Sequence, residues 1–159
     1  AYSSFVSPLL SQIFYPYFTR INNINRTTKI TILLCVLNTI ILACGYFLSP
    51  YLIHLFIKTE AASIISNFNL FLFLLVISVP ADMLGFPFLG ILGKINSVNN
   101  TTIYSAFAYM LAIAVLILTK QISIENVILA LIFANIICLS SRIYLISKTL
   151  NNDNKQIQQ

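Results

Sequence analysis

Residues 30–57 read ITILLCVLNTIILACGYFLSPYLIHLFI, a stretch between Lys29 and Lys58 that contains no Asp, Glu, Lys or Arg. About 20 mainly apolar residues let an α-helix cross the hydrocarbon core of a bilayer, so this stretch spans it with length left for tilt. It is continuously apolar, whereas a barrel strand alternates polar and apolar over about ten residues. A helix also closes its own backbone hydrogen bonds where no water is present. Outward from this run, the charges mark the other segments, because a charge at the bilayer centre costs about 2.5 to 3.5 kcal/mol on insertion scales and is kept to the ends. Neutral runs lie before Arg20, between Glu60 and Asp82, between Lys94 and Lys120, and between Glu125 and Arg142. The expected spans are about 1–19, 30–57, 61–93, 95–119 and 124–146. The third is too long for one untilted helix and too short for two. The last neutral run is short, and Arg142 is expected to snorkel along its stem so that the helix continues through Ile146. The fold class is all-α membrane protein with about five transmembrane helices.

The composition agrees. Of 159 residues, 58% are hydrophobic and 8% charged, where a soluble domain carries about a quarter charged residues. The formal charge is +5, but no basic run is interleaved with exposed polar sequence as nucleic-acid binding requires, so no nucleic-acid partner is expected. Topology explains the basicity instead. Arg20, Arg26, Lys29, Lys94, Arg142, Lys148 and Lys155 fall on one side of the expected spans and only Lys58 and Lys120 on the other. Short loops retain Lys and Arg on the cytoplasmic side, which places the C-terminus inside. Residues 151–159, rich in Asn and Gln without apolar periodicity, are expected to form a disordered cytoplasmic tail. The chain opens on Ala1 with an apolar stretch directly behind it and is expected to be part of a longer protein. Cys35, Cys44 and Cys138 have neither C-x-x-C spacing nor a nearby His, which argues against a disulfide framework or a metal site. No nucleophile-base set, paired carboxylates or phosphate-binding glycine loop is present, so no enzyme activity, catalytic residue or cofactor is expected.

Two segments carry polar residues that lipid would not select. Ser4, Ser7, Ser11 and Tyr15 recur at spacings of three and four, with Gln12 beside them, and form one helical face. That face suits either a neighbouring helix or a polar lumen. Pro8 and Pro16 are expected to kink this helix. In the third segment Asp82 has apolar sequence on both sides, which makes it a candidate functional residue. Ser78, Asp82, Gly85, Leu89 and Gly93 share a narrow stripe expected to face protein, and Pro80 and Pro87 add bends around it. Asp82 alternatively sits at the inner interface beside Lys94, or forms a structural ion pair with a basic residue from a helix outside this sequence. Asn38, Asn67, Asn69 and Asn135 can bridge helices or contact hydroxyl-rich ligands, and helix bridging is the favoured reading.

Three stretches carry a family resemblance: SPLLSQIFYPYFTR (residues 7–20), GYFLSPYLI (45–53) and GILGK (90–94). Their order resembles the C-terminal part of bacterial polysaccharide flippases of the O-antigen (Wzx) type, in the multidrug/oligosaccharidyl-lipid/polysaccharide exporter superfamily. The resemblance implies that the chain supplies most of the second bundle of a twelve-helix transporter in the bacterial inner membrane. It implies movement of an undecaprenyl-pyrophosphate-linked oligosaccharide across that membrane for surface polysaccharide biosynthesis, with membrane lipids and a coupling ion, proton or sodium, as further partners. On this reading Asp82, Ser4, Ser7, Ser11, Gln12 and Tyr15 are lumen candidates, with Asp82 a coupling or gating acid, and Arg20 and Arg142 are candidates at the cytoplasmic mouth. A carrier for pyrophosphate should present cations in its lumen, whereas the one charge read as intramembrane here is acidic; the other bundle is expected to supply them. A multidrug exporter or peptidoglycan-precursor flippase of the same superfamily is the alternative, and a membrane polymerase, glycosyltransferase or non-transporting scaffold is the alternative from another class.

Overall fold

The computed structural model describes residues 24–56 and 62–157, together with Gln12 and Pro16. From Ile24 onward the described residues form four helices in order, α1 (Ile24–Phe56), α2 (Ala62–Met83), α3 (Ile95–Leu118) and α4 (Ile124–Ile157), with a π-helical segment, Leu84–Leu89, continuing α2. No strand occurs among the described residues. Their apolar stretches, Ile24–Leu55, Ala62–Leu89, Ile95–Leu118 and Ile124–Leu150, number 32, 28, 24 and 27 residues. At about 1.5 Å rise per residue each exceeds the roughly 30 Å of bilayer hydrocarbon. The protein is an all-α, multi-pass membrane protein. The expected first span, 1–19, lies outside the described residues apart from Gln12 and Pro16.

Two turns reverse the chain by the same device. At the end of the α2 stretch Gly93 takes φ +69°, its N–H bonds the Gly90 carbonyl at 3.1 Å, and the Lys94 N–H bonds the Leu89 carbonyl at 2.9 Å. This is a Schellman motif, which satisfies the last carbonyls of a helix through one left-handed residue. At the end of α3 the pattern recurs with Lys120 at φ +54°. Its N–H bonds Ile117 O at 3.1 Å, and the Gln121 N–H bonds Leu116 O at 3.0 Å. α4 then starts on Ser123, whose Oγ accepts from the Asn126 N–H at 3.1 Å, the bond of a serine N-cap. The Asn126 side chain donates back to Gln121 O at 2.7 Å.

α4 lies against both α2 and α3, α1 packs on α2, and the π-helical segment touches α2, α3 and α4. The core is narrow, built from Leu72, Leu74, Met83, Phe88, Leu89, Val98, Ile132 and the small Ala81, Ala130 and Ala134. Leu33, Phe47, Leu55, Leu111 and Leu118 are among many large apolar side chains left exposed, and hydrocarbon is the solvent such faces require. Inside, Ser105 Oγ donates to Ala134 O across α3 and α4 at 2.8 Å.

One expectation is corrected: α4 remains helical to Ile157, through the stretch from residue 151 read as a disordered tail. Extending an existing helix fixes one residue per added hydrogen bond, and Lys and Gln have good helix propensity. Absence of apolar periodicity removed a reason for packing there, not for helicity.

Candidate functional site

The α2 stretch breaks at Gly85, whose φ −72° and ψ −115° depart from helical values. Pro87, two residues on, has no N–H to return to an α-helical ladder. The break lies between Pro80 and Pro87, and it turns a bare backbone position toward α4. There the side chain of Arg142 lies directly against Gly85: a Cβ at this position would stand 2.6 Å from Nη1 and 2.8 Å from Cζ of Arg142. Only glycine leaves that space.

Arg142 is 5% exposed. Its Nε donates to Thr101 Oγ1 at 3.3 Å, its Nη2 to Thr102 Oγ1 at 3.0 Å, and its Nη1 to the Ala81 carbonyl. Both threonine hydroxyls donate to the Val98 carbonyl, at 2.8 Å from Thr101 and 3.0 Å from Thr102, which leaves their lone pairs to receive the guanidinium. The Asp82 carboxylate completes the site: its Oδ1 stands 3.7 Å from Nη1, with the Asp82 side chain 31% exposed. One side chain of α4 thus ties the end of α2 to the start of α3. A buried charge without such partners is strongly unfavourable.

Beside the pair opens a cleft of about 450 Å³ lined by Asp82, Asn99, Thr102, Ser105, Asn135 and Arg142, with Phe86, Pro87, Val98 and Cys138 as its apolar wall. Asn135 donates to Leu131 O of its own helix at 2.9 Å, which orients its carbonyl oxygen. The cleft offers hydroxyls, amides and one charge of each sign within stretches long enough to span a membrane. Such a surface can hydrogen-bond a polar guest shielded from hydrocarbon; among the described residues it contains no group of three or more His, Cys, Asp or Glu suited to a metal.

Asp82 and Arg142 are brought together here. Arg142, expected to snorkel along its stem, is instead buried, its guanidinium held by Thr101, Thr102 and the Ala81 carbonyl. Asp82 stands opposite a basic residue, and that residue is Arg142 of this chain, not one from a helix outside the sequence as expected. In the predicted stripe Gly85 and Leu89 are buried, Ser78 and Asp82 half-buried, and Gly93 exposed at its turn. Gln12 is helical and exposed; Ser4, Ser7, Ser11, Tyr15 and Arg20 lie outside the described residues. Sequence reading missed Thr101, Thr102 and Ser105, and for Asn135 favoured helix bridging over ligand contact. The run Asn99, Asn100, Thr101, Thr102 inside an otherwise apolar helix was the available signal. No protein-family model, no curated protein and no solved structure matches the chain.

Proposed function

We propose that the chain belongs to a carrier that moves an undecaprenyl-pyrophosphate-linked oligosaccharide from the cytoplasmic to the periplasmic leaflet of the bacterial inner membrane, for surface polysaccharide biosynthesis. The observation that carries the reading is the polar cleft among α2, α3 and α4, with an arginine and an acid at its wall. Each sugar hydroxyl entering lipid without a partner costs several kcal/mol, so a carrier must replace water with fixed donors and acceptors. Asn99, Thr102, Ser105 and Asn135 are of that kind, and Arg142 is a cation of the sort an anionic cargo demands. The resemblance of residues 7–20, 45–53 and 90–94 to polysaccharide flippases supports the same reading.

The positive-inside distribution sets the orientation: the turn at 90–94 and the end of α4 face the cytoplasm, so the site lies toward the cytoplasmic mouth. Asp82 acts there as a gating or coupling acid. The reading is tested in a strain lacking the chromosomal gene, where lipid-linked oligosaccharide is expected to accumulate and surface polysaccharide to fall. Normal polysaccharide with no accumulation overturns it. With expression matched, D82N is expected to reduce export, and unchanged export removes Asp82 from the mechanism.

A further inference from the structure

Arg142 carries five N–H groups in a rigid planar fork. Three are committed, Nε to Thr101, Nη2 to Thr102 and Nη1 to the Ala81 carbonyl. That leaves one N–H on each terminal nitrogen. Two such donors on one plane are the means by which arginine receives the paired oxygens of a phosphate or carboxylate. The threonines fix that plane, since their own protons are held by the Val98 carbonyl.

Asp82 does not close this fork. At 3.7 Å its Oδ1 is beyond hydrogen-bond length from Nη1, and its carboxylate accepts no hydrogen bond among the described residues. A carboxylate built to neutralise arginine permanently stands at about 2.7 to 2.9 Å. Asp82 instead keeps 31% of its side chain exposed and lines the same cleft as the fork, with space of about 450 Å³ beside it.

We infer that Asp82 is the resting counter-ion of Arg142, a placeholder that an oxyanion of the phosphate or pyrophosphate type displaces when the cleft is loaded. The identification of that oxyanion with the linkage of a lipid-linked sugar rests on the carrier reading; the anion site itself requires only the geometry around Arg142. Displacement transfers one electrostatic partner for another and forms no covalent bond. It gives Asp82 opposite effects on two measurements: it lowers equilibrium affinity for the anion while contributing to turnover.

The test uses the full chain in lipid nanodiscs and isothermal titration with inorganic pyrophosphate, geranyl pyrophosphate and, as neutral control, geraniol. Wild type is expected to bind a pyrophosphate and to bind geraniol no better than empty nanodiscs do. Since a competing charge a few ångström away acts strongly at an effective dielectric near 20, D82N is expected to bind at least about tenfold more tightly. R142Q is expected to lose the binding. Equal affinity for both pyrophosphates supports a site for the phosphate groups alone, and preference for the geranyl compound supports a lipid-linked source. Unchanged or weaker binding by D82N, or none at all, overturns the placeholder; so does a D82N protein that fails to fold, which would make Asp82 a structural clamp. If R142Q does not fold, the sign of the D82N change decides. Pyrophosphate binding without any export defect in the deletion strain overturns the carrier reading and leaves the site standing, and the converse result does the reverse.

Discussion

Arg142 and Gly85 act as one unit, and the energetics of that unit can be measured. Arg142→Lys keeps the charge but not the fork, leaving Thr101, Thr102 or the Ala81 carbonyl without its donor. A buried group that loses its partner costs about 1 to 3 kcal/mol, and R142K is expected to destabilise by that amount in thermal unfolding in detergent. Gly85→Ala places a methyl where the guanidinium lies, an overpacking expected to cost about 1 to 3 kcal/mol. The two costs should not add, because lysine has no Nη1 or Cζ for the methyl to meet. A double variant as unstable as the sum of the singles would mean that the contact at Gly85 is not the source of either effect.

Among the elements, the two Schellman turns differ in the residue they place in the left-handed region. Gly93 is suited to it, whereas Lys120 carries a Cβ there. Lys120→Gly is accordingly expected to stabilise the hairpin of α3 and α4 by up to about 1 kcal/mol, and Gly93→Ala to destabilise by a similar amount, both read as shifts in unfolding midpoint. The helices themselves were legible because charge placement and run length report a bilayer directly: the fourth expected span, 95–119, falls on α3, Ile95–Leu118. The bend was less so. Pro80 and Pro87 announce lost hydrogen bonds, but the break falls at Gly85 between them, where accepting the guanidinium requires a residue without a side chain. That requirement comes from α4 and is invisible in α2 alone.

At the scale of the molecule, the same separation explains which parts of the site escaped sequence reading. Asp82 stood out because it interrupts an apolar run. Arg142 looked like a span end, since its partners at Ala81 and Thr101 are 61 and 41 residues away in the chain, and no local pattern reports such distances. Orientation is testable on the whole protein with its native cysteines replaced. Gln121→Cys, in an exposed turn, is expected to react with a membrane-impermeant maleimide in intact cells. Asn96→Cys, exposed at the opposite end, is expected to react only after permeabilisation. Labelling of Asn96→Cys in intact cells would invert the topology and move the site to the other mouth.

The stitch from Ser105 to the Ala134 carbonyl, with the capped turn between α3 and α4, bears on biogenesis. When the translocon meets the segment holding Arg142, the residues that will receive its guanidinium have already been synthesised. An arginine that taxes insertion of an isolated helix can then enter against a waiting acceptor surface, so that α3 and α4 partition into the bilayer as a hairpin rather than in turn. Separated from the helices before it, α4 is therefore expected to insert less efficiently than its apolar length alone would indicate.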